Sequence, residues 1–214
     1  MNSYNAYQLD PSSAKQADAG GRIDQSGKYT GVLKSVEFVT AKSGAQGLEI
    51  HFESDHKEYT TFTVWSFGRD GQKLMGLSKV NAMMTCAKVR ALTPVERQLE
   101  KYDYDTKSKI KVPCTVAQEL DNKRIGVVLQ RENYKNASGE DRVQMNLFAS
   151  FDPDTELTAK EILEKATQPQ ELSKIIERLM GNPVITRKQQ GQSNAAPAGS
   201  SNPQSTDLDD DLPF

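Results

Sequence analysis

Three consecutive runs, "YTGVLKSVEFVTAK" from Tyr29, "LEIHFESD" from Leu48 and "YTTFTVWSF" from Tyr59, are rich in β-branched and aromatic residues and are parted only by the short turns "SGAQG" and "HKEY". A two-residue period sends successive side chains to opposite faces of a strand, and turns this short join antiparallel neighbours. In the second run Leu48, Ile50 and Phe52 oppose Glu49, His51 and Glu53. In the third, Phe62 and Val64 are assigned inward with that apolar set, which leaves Tyr59, Thr61, Thr63, Trp65 and Phe67 on the other face. A one-residue slip would reverse the faces and put Trp65 in the core.

The period then changes. In "QKLMGLSKVNAMMTCAKVRAL", Leu74, Leu77, Val80, Met84 and Ala87 recur every three or four residues, which predicts a helix that ends before Pro94. A polar, lysine-rich connection, "KYDYDTKSKIKVP", leads to "RIGVVLQREN", the turn "NASGED" and "RVQMNLFASF", a last hairpin. Three strands, a helix and two strands is the order of the oligonucleotide- and oligosaccharide-binding (OB) barrel, and Gly31 fits the bend its first strand needs. The expected fold is mainly β: a five-stranded OB-fold barrel with a helix between strands 3 and 4, short C-terminal helices and a disordered tail. The expected divisions are a flexible arm over 1–28, the barrel over 29–151, a helical extension over 152–180 and a linker with an acidic tip over 181–214.

Thr158 and Glu161 have capping-box spacing ahead of "TAKEILEKA", and Leu172, Ile175, Ile176 and Leu179 share one face of "QPQELSKIIERLM". From Gly181 the chain turns to Gln, Ser, Asn, Gly, Ala and Pro, the composition of a flexible linker. Charge is segregated: residues 29–150 carry 18 Lys and Arg against 15 Asp and Glu, whereas 151–180 carry 4 against 7 and 181–214 carry 2 against 4. A polyanion would suit the middle and not the end.

Catalysis finds little footing. The chain has no glycine-rich phosphate loop, GxSxG elbow or HExxH, and His51 and His56 match no common zinc spacing. No cofactor and no metal site is expected, and the chain is not expected to be an enzyme. Cys86 and Cys114 read as reduced, buried thiols. No apolar run of spanning length and no leader pattern is present in the sequence, so a cytoplasmic protein is expected.

The last eight residues, "DLDDDLPF", resemble the acidic tip of bacterial single-stranded DNA-binding proteins, and "GKYTGVLKSVEFVTAKSGAQGLEIHFES", "TVWSFGRDGQKLMGLSKVNAMM" and "RIGVVLQREN" are similar to phage-encoded single-stranded DNA-binding proteins of the OB type. The resemblance implies a protein that coats single-stranded DNA during replication and recombination inside an infected bacterial host and recruits replication, recombination and repair proteins through its tip. Flat rings for base stacking and cations for phosphates are the means of such binding. Tyr59, Trp65, Phe67 and Tyr134 are the candidate stacking residues, and Lys34, Lys42, Lys57, Arg69, Arg131 and Lys135 the candidate phosphate contacts. The tip would dock partners through Asp207, Asp209, Asp210 and Asp211, which attract a basic surface, and Leu212, Pro213 and Phe214, which plug it. Two other readings stay open: an OB-fold interaction protein that binds RNA or protein, and a strand-annealing recombination protein.

Overall fold

The computed structural model describes residues 20–103, 107–136 and 138–187, with Leu9 and Pro11 besides. It is mainly β. The meander read from the sequence is β1 (Gly27–Thr40), β2 (Gln46–Ser54) and β3 (Tyr59–Phe67), and helix α1 (Gly76–Cys86) follows it. A hairpin of β4 (Pro94–Asp103) and β5 (Ser108–Ala117) comes next, then a 3-10 turn at Gln118–Leu120. The hairpin of β6 (Arg124–Lys135) and β7 (Asp141–Phe151), the helices α2 (Ala159–Leu163) and α3 (Glu171–Gly181), and the short β8 (Val184–Thr186) complete the order.

All eight strands belong to one sheet, antiparallel except where β8 pairs with β6. β1 is its organiser. Residues 31–40 of β1 pair with β2, residues 27–32 pair with β6, and Glu37 pairs with Val116 of β5. The partner change falls at Gly31, which faces both Ser54 and Ile125. A Cβ there would lie 2.1 Å from Glu53 O, so only glycine lets the two strands approach this closely. β7 runs close to β3, but no ladder joins them among the described residues, and the sheet is not closed into a barrel.

The core lies under the meander. Leu33, Val36, Leu48, Ile50, Phe52, Phe62 and Val64 meet Val80, Met83 and Cys86 of α1 and Ile125, Val127, Leu129, Met145 and Leu147 of the last hairpin. The face of α1 that is buried is Val80, Met83 and Cys86, while Leu77 and Met84 of the expected stripe line a groove beside it. β6 is covered on both sides: Val127 points into this core, and Val128 packs with Phe151, Leu172 and Leu179 in a second cluster. In the helical extension, α3 therefore rests on the outer side of the β6–β7 hairpin, while Ala159 and Ile162 of α2 pack against the main core. Helix α2 opens with the capping box of Thr158 and Glu161.

Three expectations need correction. The lysine-rich connection is not a loop, because most of it forms β4 and β5. Residues 20–28, assigned to the arm, are built into the fold: Ile23 is buried, its N–H donates to Tyr59 O, and Gly27 already pairs with Leu129. The stretch after Gly181, assigned to the linker, first adds β8 to β6. No helix among the described residues is long and apolar enough to cross a membrane.

Candidate nucleic-acid interface

Strand β3 alternates strictly. Thr60, Phe62, Val64 and Ser66 are buried, and Tyr59, Thr61, Thr63 and Trp65 lie on the opposite, outer side with Tyr59 at 59% exposure. Trp65 is half-buried, next to β2. Gly47 pairs with Trp65, and a Cβ on Gly47 would sit 2.9 Å from Trp65 Cε3. The missing side chain at Gly47 thus leaves room for the indole beside it. A register shift between Gln46 and Gly47 follows at once, and beyond it Phe67 lines a groove of 360 Å³ with Phe38, Leu48, Leu77 and Met84.

The candidate cations fall into two groups. At the Tyr59 end, Lys34 occupies the β1 bulge and lies 3.9 Å from Glu53, and Lys57 lies 3.1 Å from the same carboxylate. At the Trp65 end, Arg69 donates from Nε to Ser43 O at 2.6 Å, which lays it against the β1–β2 turn that carries exposed Lys42. The second group is Arg131 and Lys135 on β6, with the candidate ring Tyr134 between them. They lie beyond Leu129, the last residue that β6 pairs with β1, so the ladder does not set them beside Trp65. Arg131 donates to Asn133 Oδ1 and Asp24 O, Lys135 pairs with Asp141 at 2.9 Å, and the Arg187 guanidinium covers the Tyr134 ring at 5.5 Å. The tip residues Asp207, Asp209, Asp210, Asp211, Leu212, Pro213 and Phe214 lie outside the described residues.

The outer face also carries carboxylates, which the sequence reading did not weigh. Glu49 pairs with Thr63, His51 with Thr61, and Glu37 with Glu49, so register lines up two acids and a histidine beside the aromatic row. Glu37 is only 3% exposed. The β4–β5 hairpin comes near enough for Lys101 Nζ to sit 2.8 Å from Glu37 Oε2. Burial pushes the Glu37 carboxyl up, but His51, Lys101 and Cys114 hold it down at about 2. Contact with Glu37, then Glu49, raises His51 to about 9, so its imidazole is cationic at neutral pH. Each acid on this face therefore has a cation within 4 Å, and the row of rings is not left in an uncompensated negative field. The i, i+2 pair Glu49 and His51 was visible in the sequence; the approach of Glu37 needed the β1–β2 register.

A second cationic surface has no counterpart in the sequence reading. Lys79 on α1, Lys160 on α2, and Lys174 and Arg178 on α3 border a pocket of 470 Å³ floored by Leu147, Phe148 and Ile175. Arg178 stacks over Phe148 at 5.3 Å, and Lys79 donates to Leu147 O at 2.7 Å, with burial lowering its pKa. These cations come from three separate elements, and no sequence spacing connects them. No protein-family model and no curated protein matches this chain.

Proposed function

We propose that this chain is a sequence-nonspecific single-stranded DNA-binding protein of the OB type, without catalytic activity, that coats exposed strands in phage replication and recombination within the bacterial cytoplasm. The observation that carries the reading is the outer face of β3: Tyr59 is 59% exposed, Trp65 lies beside Gly47, and Lys34, Lys57, Lys42 and Arg69 stand at the two ends of the row. Stacked rings reward unpaired bases of any identity, and lysines and arginines that track the backbone add affinity without sequence preference. A duplex hides its base faces and would lose the stacking part.

The strand order supports the same reading. β1, β2, β3, β6 and β7 with α1 after β3 follow the OB sequence of elements, and the β4–β5 hairpin is then an insertion between the helix and the fourth barrel strand. In this scheme the acidic tip serves as a docking peptide for replication, recombination and repair proteins. Weak docking by one tip is multiplied when many copies line one strand.

A titration of Trp65 fluorescence with oligo-dT tests the proposal, with duplex DNA and RNA of equal length as competitors. Quenching that saturates with oligo-dT and resists competition by duplex is the expected result. Equal or stronger binding of RNA or of duplex would replace the proposal with the RNA-binding or a duplex-binding reading.

A further inference from the structure

Glu37 is an odd residue for the middle of a sheet, a carboxylate at 3% exposure facing a histidine and a second acid. Its Oε2 is taken by Lys101 at 2.8 Å. Its Oε1 lies 3.2 Å from His51 Nε2, which lies 3.4 Å from Glu49 Oε1. Those are ion-pair distances, and Glu37 Oε1 and His51 Nε2 are both shut off from water, but the contact lacks the alignment of a hydrogen bond. A buried ion pair held without aligned hydrogen bonds recovers only part of the desolvation cost of its charges.

The spacing has another meaning. Zinc bonds to imidazole nitrogen and carboxylate oxygen are about 2.0–2.2 Å long, so neighbouring ligand atoms of a tetrahedral zinc site stand roughly 3.3–3.6 Å apart. The His51–Glu37 and His51–Glu49 separations match that edge to about 0.1 Å, and all three donor atoms lie within 4.8 Å of one another. The surroundings also suit a metal ligand set. Thr61 Oγ1 lies 3.1 Å from His51 Nδ1 and orients the ring, and Lys101 fixes the second oxygen of Glu37. Strands β1 and β2 supply the three donors, so the geometry is rigid, while His51 and Glu49 keep 36% and 23% of their side chains exposed and leave a way in.

We propose that Glu37 Oε1, Glu49 Oε1 and His51 Nε2 form a binding site for one zinc ion, with three protein ligands and a fourth position open to water. Without the metal, the charges of His51 and Lys101 balance the two carboxylates, so the fold does not depend on the ion; zinc displaces the proton of His51 as it binds. The site stands independently of the DNA-binding proposal, since its residues are neither the rings nor the phosphate contacts named there.

Calorimetric titration of the full chain with zinc chloride, repeated with Co²⁺ for its visible absorption, tests the site. The expected result is one zinc per chain, with a four-coordinate cobalt spectrum. His51→Ala and Glu49→Gln should each weaken binding at least tenfold, and His56→Ala should leave it unchanged. Melting curves without zinc identify any variant that fails to fold, and Glu49→Gln, on a partly exposed strand position, carries the comparison if His51→Ala does so. Absence of zinc binding by the wild-type chain, equal binding by wild type and the folded variants, or binding that disappears on deletion of residues 207–214 would overturn the proposal.

Discussion

Trp65 lies beside Gly47 so closely that a methyl group on the glycine would come within 2.9 Å of the indole. The bare position at Gly47 therefore gives the ring its room on that side. Trp65→Ala should weaken binding of oligo-dT by one stacked base, about 1–3 kcal/mol, with the circular dichroism of the folded state retained. Gly47→Val should lift or displace the ring and also crowd Val64 O, 2.6 Å from the same Cβ. We expect it to lower both the melting temperature and the affinity. A Gly47→Val variant that binds as wild type would show that this ring is not the platform.

Affinity for single-stranded DNA should fall with salt, with a logarithmic slope of about −0.7 for each phosphate contacted. Neutralising Lys57 or Arg69 should lower that slope by roughly one contact each, uniformly across sequences. Lys135→Gln, on the far end of β6 and already paired with Asp141, should leave it unchanged. An unchanged slope in Lys57→Gln and Arg69→Gln together with a reduced one in Lys135→Gln would move the strand path to β6.

Glu161 ties the two short helices together. Its carboxylate accepts from the N–H groups of Thr158 at one end and of Gln170 and Glu171 at the other, at 2.6–3.0 Å. Burial pushes its pKa up, but these bonds prevail and hold it at about 2, below the ordinary glutamate value of 4.5. A depressed folded-state pKa means that the stabilisation is complete above about pH 4.5 and is lost as pH falls toward 2. Glu161→Gln should destabilise the chain at pH 7 by about 1–3 kcal/mol and flatten the acid limb of its stability profile, as read from urea melts between pH 2 and 7. Parallel acid limbs in the two proteins would contradict this.

Leu172 and Leu179 are fully enclosed against Val128 and Phe151. Leu172→Ala should cost about 2–5 kcal/mol. Truncation after Phe151 should expose the outer side of the last hairpin and produce aggregation in sedimentation runs; a monomer of unchanged stability would show that the extension is a separate unit. Deletion of residues 207–214 should leave or slightly raise affinity for single-stranded DNA while removing pull-down of replication and repair proteins, and retention of those partners would remove the docking role.

What could be read from the residues depended on how unevenly they were buried. β3 was legible over all of Tyr59–Phe67 because one face is core and the other is not, and the same asymmetry marked β2, whereas β6, covered on both sides, read as a short continuous apolar run over residues 125–129. The β4–β5 hairpin was missed because its described residues are mostly exposed on both sides, so Arg97, Lys101, Lys109 and Lys111 occupy positions that a core-facing strand would fill with apolar groups. Ile23 and β8 were missed because each is a short apolar element in polar sequence, placed by a long-range pairing with β3 or β6. The aromatic row was readable from period alone, whereas the cluster of Glu37, Glu49 and His51 depended on a register that brings residues 12 to 14 positions apart onto one face.

The double allegiance of β1 has a consequence for how the chain acquires its shape. Its later half finds β2 within a few residues of turn, whereas its first half must wait for partners as distant as Gly31 and Ile125. Closing that long loop is entropically slow, so the meander is expected to form early and to hold an unpaired edge at residues 27–32 until β6 arrives. During synthesis on the ribosome that edge is exposed while nearly one hundred further residues are made, and it is the point at which a nascent chain would pair with a neighbour instead of with itself.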